Sequence, residues 1–463
     1  MTLARTLLLA AACVPAACGG EGPREPIRRV ILVTCDTLRP DRLGAYGYGR
    51  PTSPNVDALA ADATLFERAY SAAPLTGPSM SSLFTGKMPD EIGISRGNFA
   101  VLSPEAVTLP EILSEAGIDT AAVVSNTVLG RPPPRFGDAG ISQGFAAFDD
   151  VMREKEANRD FYERTGEPTT DAAIAMLTRQ LARPEPRSFL WVHYQDPHGP
   201  YTPPPERVAQ FLRPPSPDEP EIPIGKTNKT LGQIPAYQVL AGERHPGPYR
   251  DRYDAEIATF DAAFGRLLAW LREHGLYEDS LIVFTADHGE SLGEHGYWFG
   301  HGSNLYREEL AVPLIVRFPG GRRGERRPDR ACHLDLWPTI LEAYGLPARA
   351  NRGTSLFAAS LPSDRLLPHS LGRPGEKGRW TAVTSDRFRL ILEEGTNPRL
   401  FDLRADPTEA KDLASEQAEV VQELLAGCRT HFGPRAIPVP ELFDPNREKA
   451  LKGLGYTDGT EEH

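Results

Sequence analysis

The stretch Arg28-Arg-Val-Ile-Leu-Val-Thr-Cys35-Asp36-Thr-Leu-Arg39 decides the fold. After two arginines it is continuously apolar and rich in β-branched residues, the pattern of a strand buried on both faces of a parallel sheet. It then runs into a carboxylate, and open α/β sheets place their sites at the carboxyl ends of central strands. Successive strand residues face opposite ways, so Cys35 and Asp36 cannot both look into one site. A lone aspartate after a strand is also an ordinary turn or cap residue. What else arrives at that rim decides between the readings.

Working outward, the same pattern recurs. Asp119–Asn126 follows a helical stretch ending at Gly117, Ser188–Tyr194 leads into Asp196-Pro-His198, and Ser280–Ala286 leads into Asp287-His288-Gly-Glu290. Thr64–Tyr70 and Val312–Arg317 read as further strands, 52–62 and Tyr253–His274 as helices. This βα alternation predicts an α/β fold with a large, mostly parallel sheet and helices on both faces. Residues 127–170 read as a surface excursion, and the proline-dense 203–248 as an irregular insertion facing substrate. Beyond about residue 360 the pattern becomes short and alternating, with strands at Trp380–Thr384, Phe388–Glu393 and from Arg399, then a helix Ser415–His431. That change predicts a small C-terminal antiparallel α+β subdomain at 360–440, following a catalytic domain at 27–355.

Residues 1–18 read as a signal peptide: Arg5, an apolar run from Leu7 to Ala17, then Cys18-Gly-Gly. Small residues before Cys18 resemble a lipoprotein signal, although Pro15 is unusual there and Cys13 is a second candidate. Export to a periplasm or cell envelope, with a membrane tether through a lipidated Cys18, is the expectation. Three cysteines then remain, Cys35, Cys332 and Cys428, so at most one disulfide can form. A net charge of −12 over 463 residues offers no broad basic surface for nucleic acid. The pairs Arg322-Arg323 and Arg326-Arg327 flank a glycine turn and read as solvated loop.

The segment Leu75-Thr76-Gly-Pro-Ser79-Met80 opens a helix. Thr76 there reads as an N-cap, with proline in the first turn. The same position also offers a hydroxyl beside free N–H groups and the positive end of the helix dipole, which attract an oxyanion. If the strand ends and this helix start share one rim, Asp36, Asp287, His288 and Thr76 form a four-ligand set for a divalent cation, which would activate the hydroxyl.

These residues carry a resemblance. Asp36-Thr-Leu-Arg-Pro-Asp41, Thr52-Ser-Pro-Asn55, Pro78-Ser79 with Leu83-Phe-Thr-Gly86, Pro197-His198-Gly-Pro-Tyr201, Asp287-His288-Gly289, Leu305-Tyr306, Val312-Pro-Leu-Ile-Val-Arg317, and Leu400-Phe-Asp402-Leu403 with Asp406-Pro407 resemble, in order, the sulfatase family of the alkaline phosphatase superfamily. The resemblance implies that family's fold and a metal-dependent hydrolase of sulfate or phosphate esters on a small molecule or glycan.

Two departures modify what it implies. Sulfatases carry Cys or Ser followed by x-Pro-Ser-Arg and oxidise the first residue to formylglycine; here Thr76 would give a ketone, and Met80 replaces the arginine, removing a cation from the anion pocket. Cys35 stands where many sulfatases have a second metal-binding aspartate. With one carboxylate fewer and His288 present, a single Zn²⁺ or Mn²⁺ is favoured over Ca²⁺ or Mg²⁺. Superfamily members with an unmodified threonine transfer phosphoryl groups, so Thr76 is the expected nucleophile. His198 and His301 are expected to hold substrate oxygens or protonate the leaving group, and Asn126 to donate to substrate where the family often has lysine. The alternatives are a sulfatase working without formylglycine and an inactive relative that binds sulfated or phosphorylated glycans.

Overall fold

A computed structural model describes residues 26–432 apart from 95–100, 134–138, 157–160, 184–186, 215, 217–218, 225–231, 322, 373–378 and 394–396. The signal segment 1–18 with Cys13 and Cys18, Arg322, and parts of both long insertions lie outside the described residues. In chain order the strands begin with β1 (Arg29–Cys35), β2 (Thr64–Tyr70), β3 (Asp119–Val124), β4 (Ala147–Asp149), and the small pair β5 (Glu154–Lys155) and β6 (Tyr162–Glu163). Next come β7 (Ser188–Tyr194), β8 (Ser280–Ala286), and a second small pair, β9 (Ser291–Leu292) and β10 (Trp298–Gly300). The remainder are β11 (Ala311–Val312), β12 (Leu314–Arg317), β13 (Glu325–Cys332), β14 (Leu367–Leu371), β15 (Trp380–Thr384), β16 (Phe388–Glu393) and β17 (Arg399–Asp402).

The large sheet is nine-stranded, ordered β11-β2-β12-β8-β1-β7-β3-β4 with β13 alongside β2. β1 lies between β7 and β8, parallel to both and wholly buried, as its apolar run predicts. The sheet is mostly parallel, but β12 runs antiparallel to both β8 and β2. The strand expected at Val312–Arg317 divides at Pro313, which has no N–H to give a ladder. The helix expected from Tyr253 starts earlier, spanning Pro246–Glu273 with proline in its first turn. Within the insertion at 203–248, Pro205–Phe211 is helical, so that stretch is less irregular than expected.

Arg326 and Arg327 do not lie in a solvated loop. They belong to β13, where the Arg327 guanidinium sits 4.8 Å over the Phe66 ring and donates to the carbonyls of Leu356 and Ala358. A polar, proline-containing edge strand carries no apolar alternation, and its long arginine stems do the covering. The three described cysteines are buried free thiols, so no disulfide joins them.

β14 to β17 form a four-stranded antiparallel sheet in sequence order, packed by the helix Ala418–Phe432, which begins three residues later than expected. It is joined to the large sheet by buried polar groups. His369 Nδ1 donates to the Ser71 carbonyl at 2.8 Å, and its Nε2 accepts from the Thr384 hydroxyl at 2.9 Å, which in turn accepts from Arg389 Nε. Arg389 and Glu409 form an ion pair with both side chains at 0% exposure. Glu409 also accepts from the Arg307 N–H, and its carbonyl lies 3.1 Å from His295 Nε2.

Burial, with Arg389 nearby, lowers the His369 pKa from 6.5 to about 3. Protonation would break the Thr384 bond and set a cation beside a guanidinium. Between these two values the unfolded chain binds a proton that the native state refuses, so stability is full above pH 6.5 and falls on acidification. Denaturant unfolding across this window is expected to show a slope shallower by up to ~1.4 kcal/mol per pH unit in His369→Gln. Parallel slopes would mean that His369 does not couple the sheets to pH.

Candidate active site

The three central strands bring the functional groups together. The ladders β1–β7 and β1–β8 each continue one residue past the strands, through Asp36 N–H to the Tyr194 carbonyl and Asp287 N–H to the Cys35 carbonyl. Asp36 and Asp287 therefore stand side by side, both at 0% exposure. Thr37 follows with φ 55°, a left-handed turn that points its N–H at Asp287 Oδ1. The same oxygen accepts from the His288 N–H, while Oδ2 is buried with no hydrogen-bond partner among the described residues. Cys35 faces away, its thiol donating to the Asp196 carbonyl, as the strand alternation requires.

His288 has an assignable tautomer. Its Nδ1 lies 2.8 Å from the Gly289 carbonyl, which can only accept, so Nδ1 carries the hydrogen and Nε2 is a lone pair. That lone pair faces Asp287 Oδ2 at 3.4 Å, Asp36 Oδ1 at 4.0 Å and Thr76 Oγ1 at 3.2 Å. Burial holds the His288 pKa below the usual histidine value, favouring the neutral ring, and raises that of Asp287, with Asp36 adding to the effect.

The helix Thr76–Thr85 is buried along its whole length, and here the structure corrects the capping reading. Leu75 occupies the N-cap and Thr76 is the first helical residue, making no side-chain cap bond. The hydroxyl is turned to His288 instead. Ser79, one turn on, donates to the Asp287 carbonyl at 2.6 Å and fixes the helix against the end of β8. Met80, one turn on from Thr76, is buried in the main core at 0% exposure and puts an apolar side chain where the family carries a cation.

His301 lies between two other imidazoles, with ring centroids 4.4 Å from His288 and 5.1 Å from His198. Its Nδ1 is 3.0 Å from Glu290 Oε2, a carboxyl at 0% exposure that burial raises to about 8. While this pair holds two protons, His301 Nε2 carries a hydrogen: a neutral Glu290 donates to Nδ1, or an ionised one pairs with imidazolium; loss of one proton leaves Nδ1–H on the carboxylate and Nε2 a lone pair. His198 differs, since its Nδ1 donates to the Gly199 carbonyl, so that in the neutral ring Nε2 would be the acceptor. Asn126 is also at the rim, but its amide donates to Asp36 Oδ2 and its carbonyl accepts from Val128 N–H. The structure thus gives Asn126 a role in holding Asp36, which the expectation of a substrate donor did not include. Asp196 and His295 are committed elsewhere, to Gly166 N–H and to Glu308.

Asp36 and Asp287 can hold a cation with His193, which the sequence reading missed. Ligand atoms of these three lie within 4.8 Å of one another. The signal was a histidine in an otherwise apolar strand, in register with Thr34, two residues before Asp36 and hence on the same face. Among the described residues the ion-pair partner of Asp287 is His288, with no arginine or lysine supplying charge. Paired buried carboxylates, an orphaned oxygen and a lone pair aimed between them fit a divalent metal.

A hydroxyl at a helix start, facing carboxylates and a neutral imidazole at the rim of a mostly parallel sheet, is an arrangement that suits metal-assisted ester hydrolysis. The Sulfatase family model matches residues 28–346, and the chain belongs to that family, a group of hydrolases of sulfuric and phosphoric esters within the alkaline phosphatase superfamily. The N-acetylglucosamine-6-O-sulfatase of Bacteroides thetaiotaomicron is 23% identical over 516 residues, covering 90% of each chain. Human iduronate 2-sulfatase is 29% identical over 357 residues, covering 68% of this chain and 64% of its own. Among solved structures, the phosphonate monoester hydrolase of Agrobacterium radiobacter superimposes with a TM-score of 0.70 at 20% identity, over 94% of this chain and 98% of that one. A structure bound to D-glucosamine-2-N,6-O-disulfate superimposes at 0.69 and 20% identity, over 88% and 98%. At these identities the superpositions establish the fold.

Asn126→Ala is expected to weaken metal retention and turnover together by ~10–100-fold, as for a lost outer-shell partner, with metal-free thermal unfolding unchanged. Equilibrium dialysis with metal analysis checks this; undiminished affinity would show that Asp36 is oriented without Asn126.

Proposed function

We propose that the protein hydrolyses or transfers phosphoric esters with Thr76 as an unmodified nucleophile. The observation that carries this reading is the Thr76 hydroxyl, released from capping and 3.2 Å from the His288 lone pair. Threonine bears a methyl on Cβ, so the aldehyde hydrate that a formylglycine provides has no counterpart. The charge a divalent cation supplies at Asp36, Asp287, His288 and Thr76, Zn²⁺ or Mn²⁺ by the nitrogen content, offsets the carboxylates and lowers the hydroxyl pKa.

The chain's own residues account for the remaining steps. The Thr76 hydroxyl gives its proton to solvent water, Oγ1 attacks phosphorus in line, the P–O bond to the leaving group breaks, and the departing oxygen takes the Nε2 hydrogen of His301. Glu290 holds His301 in the form that carries that hydrogen. The first N–H groups of the helix at Thr76 face charge developing on the transferred group. Water then attacks phosphothreonine and gives a proton to His301 Nε2 as the P–O bond to Thr76 breaks, and the Thr76 oxygen regains its proton from solvent; an alcohol in place of water makes the reaction a transfer.

A second reading keeps the nucleophile and changes the ester. The sulfated-sugar names of several relatives favour a sulfuric ester of a glycan. Substrate on a cell-envelope glycan accords with the signal-like start of the chain and a lipid on Cys18, which mass spectrometry of the protein from membranes would reveal.

Protein stripped by chelation and reloaded with Zn²⁺, Mn²⁺ or Ca²⁺ is assayed on aryl sulfate, phosphate monoester and phosphate diester. Phosphoric esters are expected to turn over, with Thr76→Ala lowering kcat by ~10⁴-fold or more while still binding metal. Acid quenching during turnover traps phosphorylated Thr76. Preference for aryl sulfate, or a Thr76→Ala enzyme of undiminished rate, would overturn the proposal. For His301→Gln, loss of ~10²–10⁴-fold is expected on poor leaving groups and little on 4-nitrophenyl esters; equal losses on both would deny His301 the acid role.

A further inference from the structure

Thr34 and Trp191 lie beneath the site, and no step above uses them. The Trp191 indole can only donate, and its Nε1 lies 2.8 Å from Thr34 Oγ1. The same oxygen is 2.8 Å from His193 Nδ1 and 3.5 Å from the Val192 carbonyl. One consistent arrangement has Trp191 and His193 Nδ1 both donating to Oγ1, with the hydroxyl hydrogen turned to Val192. His193 Nε2 is then a lone pair pointing at the carboxylates.

The other arrangement has the hydroxyl donating to Nδ1 and puts a hydrogen on Nε2. That nitrogen is wholly buried and makes no hydrogen bond among the described residues, its nearest carboxylate oxygen being Asp36 Oδ2 at 3.5 Å. A nitrogen that carries a hydrogen cannot ligate a metal, so a cation between Nε2 and the carboxylates selects the first arrangement.

Resting on the reading that this rim holds a divalent cation, we infer that His193 is a ligand to it through Nε2, with the Thr34–Trp191 pair setting its tautomer from behind. The chain then presents two imidazole nitrogens, His193 and His288, to two carboxylates. Cys35, facing the other way, withholds the extra carboxylate an oxygen-rich site would use. Such a donor set selects Zn²⁺, Mn²⁺ or Co²⁺ over Ca²⁺, which takes six to eight oxygens. Trp191 acts only through Thr34, and Thr34 only through His193, so both are positioning residues.

The test titrates metal-stripped protein with Co²⁺, Zn²⁺ and Ca²⁺. The Co²⁺ complex is expected to show the visible absorption of a mixed nitrogen–oxygen site and Zn²⁺ to bind far more tightly than Ca²⁺. His193→Gln should alter the Co²⁺ spectrum and weaken Zn²⁺ by ~100-fold or more, while Thr34→Val weakens it by the ~10–100-fold typical of an outer-shell partner. A variant with the parental spectrum and affinity overturns the inference. If the variants fail to fold, ¹⁵N-histidine spectra of the parent decide: Zn²⁺ loading should shift the Nε2 signals of both His193 and His288, and an unmoved His193 signal overturns it. Protein that binds none of the three metals would sink the metal reading itself; tight Zn²⁺ binding without His193 sinks only the present step.

Discussion

Two buried carboxylates on neighbouring parallel strands are the constraint around which this molecule is arranged. Ligand atoms of Asp36 and Asp287 lie within 4.8 Å, where two ionised groups repel by ~3–4 kcal/mol even at an effective dielectric of about 20. Side-chain hydrogen bonds relieve part of this: Asn126 holds one oxygen of Asp36, and the left-handed Thr37 turn and His288 N–H hold one of Asp287. None of these donors carries a full charge. The imidazoles around the pair are neutral and present lone pairs, which adds to the demand for a cation. A divalent cation would offset this charge, and the pairing of β1 with β7 and β8 sets the two carboxylates side by side to receive one.

Much of this was legible because chemistry and periodicity coincided. An unbroken apolar run fixed β1 as a central parallel strand, and the strands ending at Asp36 and Asp287 had the same form. Where the two signals separated, reading failed. β13 is an edge strand of arginines with a proline, and its packing is done by side-chain stems that count as polar in any pattern. His193 was hidden for the opposite reason, lying inside an apolar strand where it reads as core. Only the pairing of β1 with β7 gives it the face of Asp36, and such registers are set by tertiary packing. Thr76 illustrates a local rule overridden, since a good capping residue gave its place to Leu75 and turned its oxygen to the rim.

The departures from the formylglycine pattern also look different in three dimensions. Met80 packs in the core, so its methyl thioether takes part in seating the helix against the sheet. The helix start then turns the Thr76 hydroxyl to His288, with a buried methionine one turn on. With the neighbouring rings neutral, a bound cation would supply the positive character of such a pocket. This accords with the proposed nucleophile, which needs no oxidation, and leaves His301 as the imidazole of the cluster able to donate from Nε2.

Glu409 has a consequence beyond stability. It lies in the C-terminal region, yet its carboxylate takes the Arg307 N–H and its carbonyl meets His295, so it braces from behind the loop that carries His301. Arg389 locks it there without solvent access. The catalytic rim and the small sheet are consequently one heritable unit: a chimera that exchanges residues 294–309 between relatives without also exchanging 384–412 would join a loop to a buttress built for a different one. Diversification of substrate range in this chain is thereby channelled into the segments that this brace leaves alone.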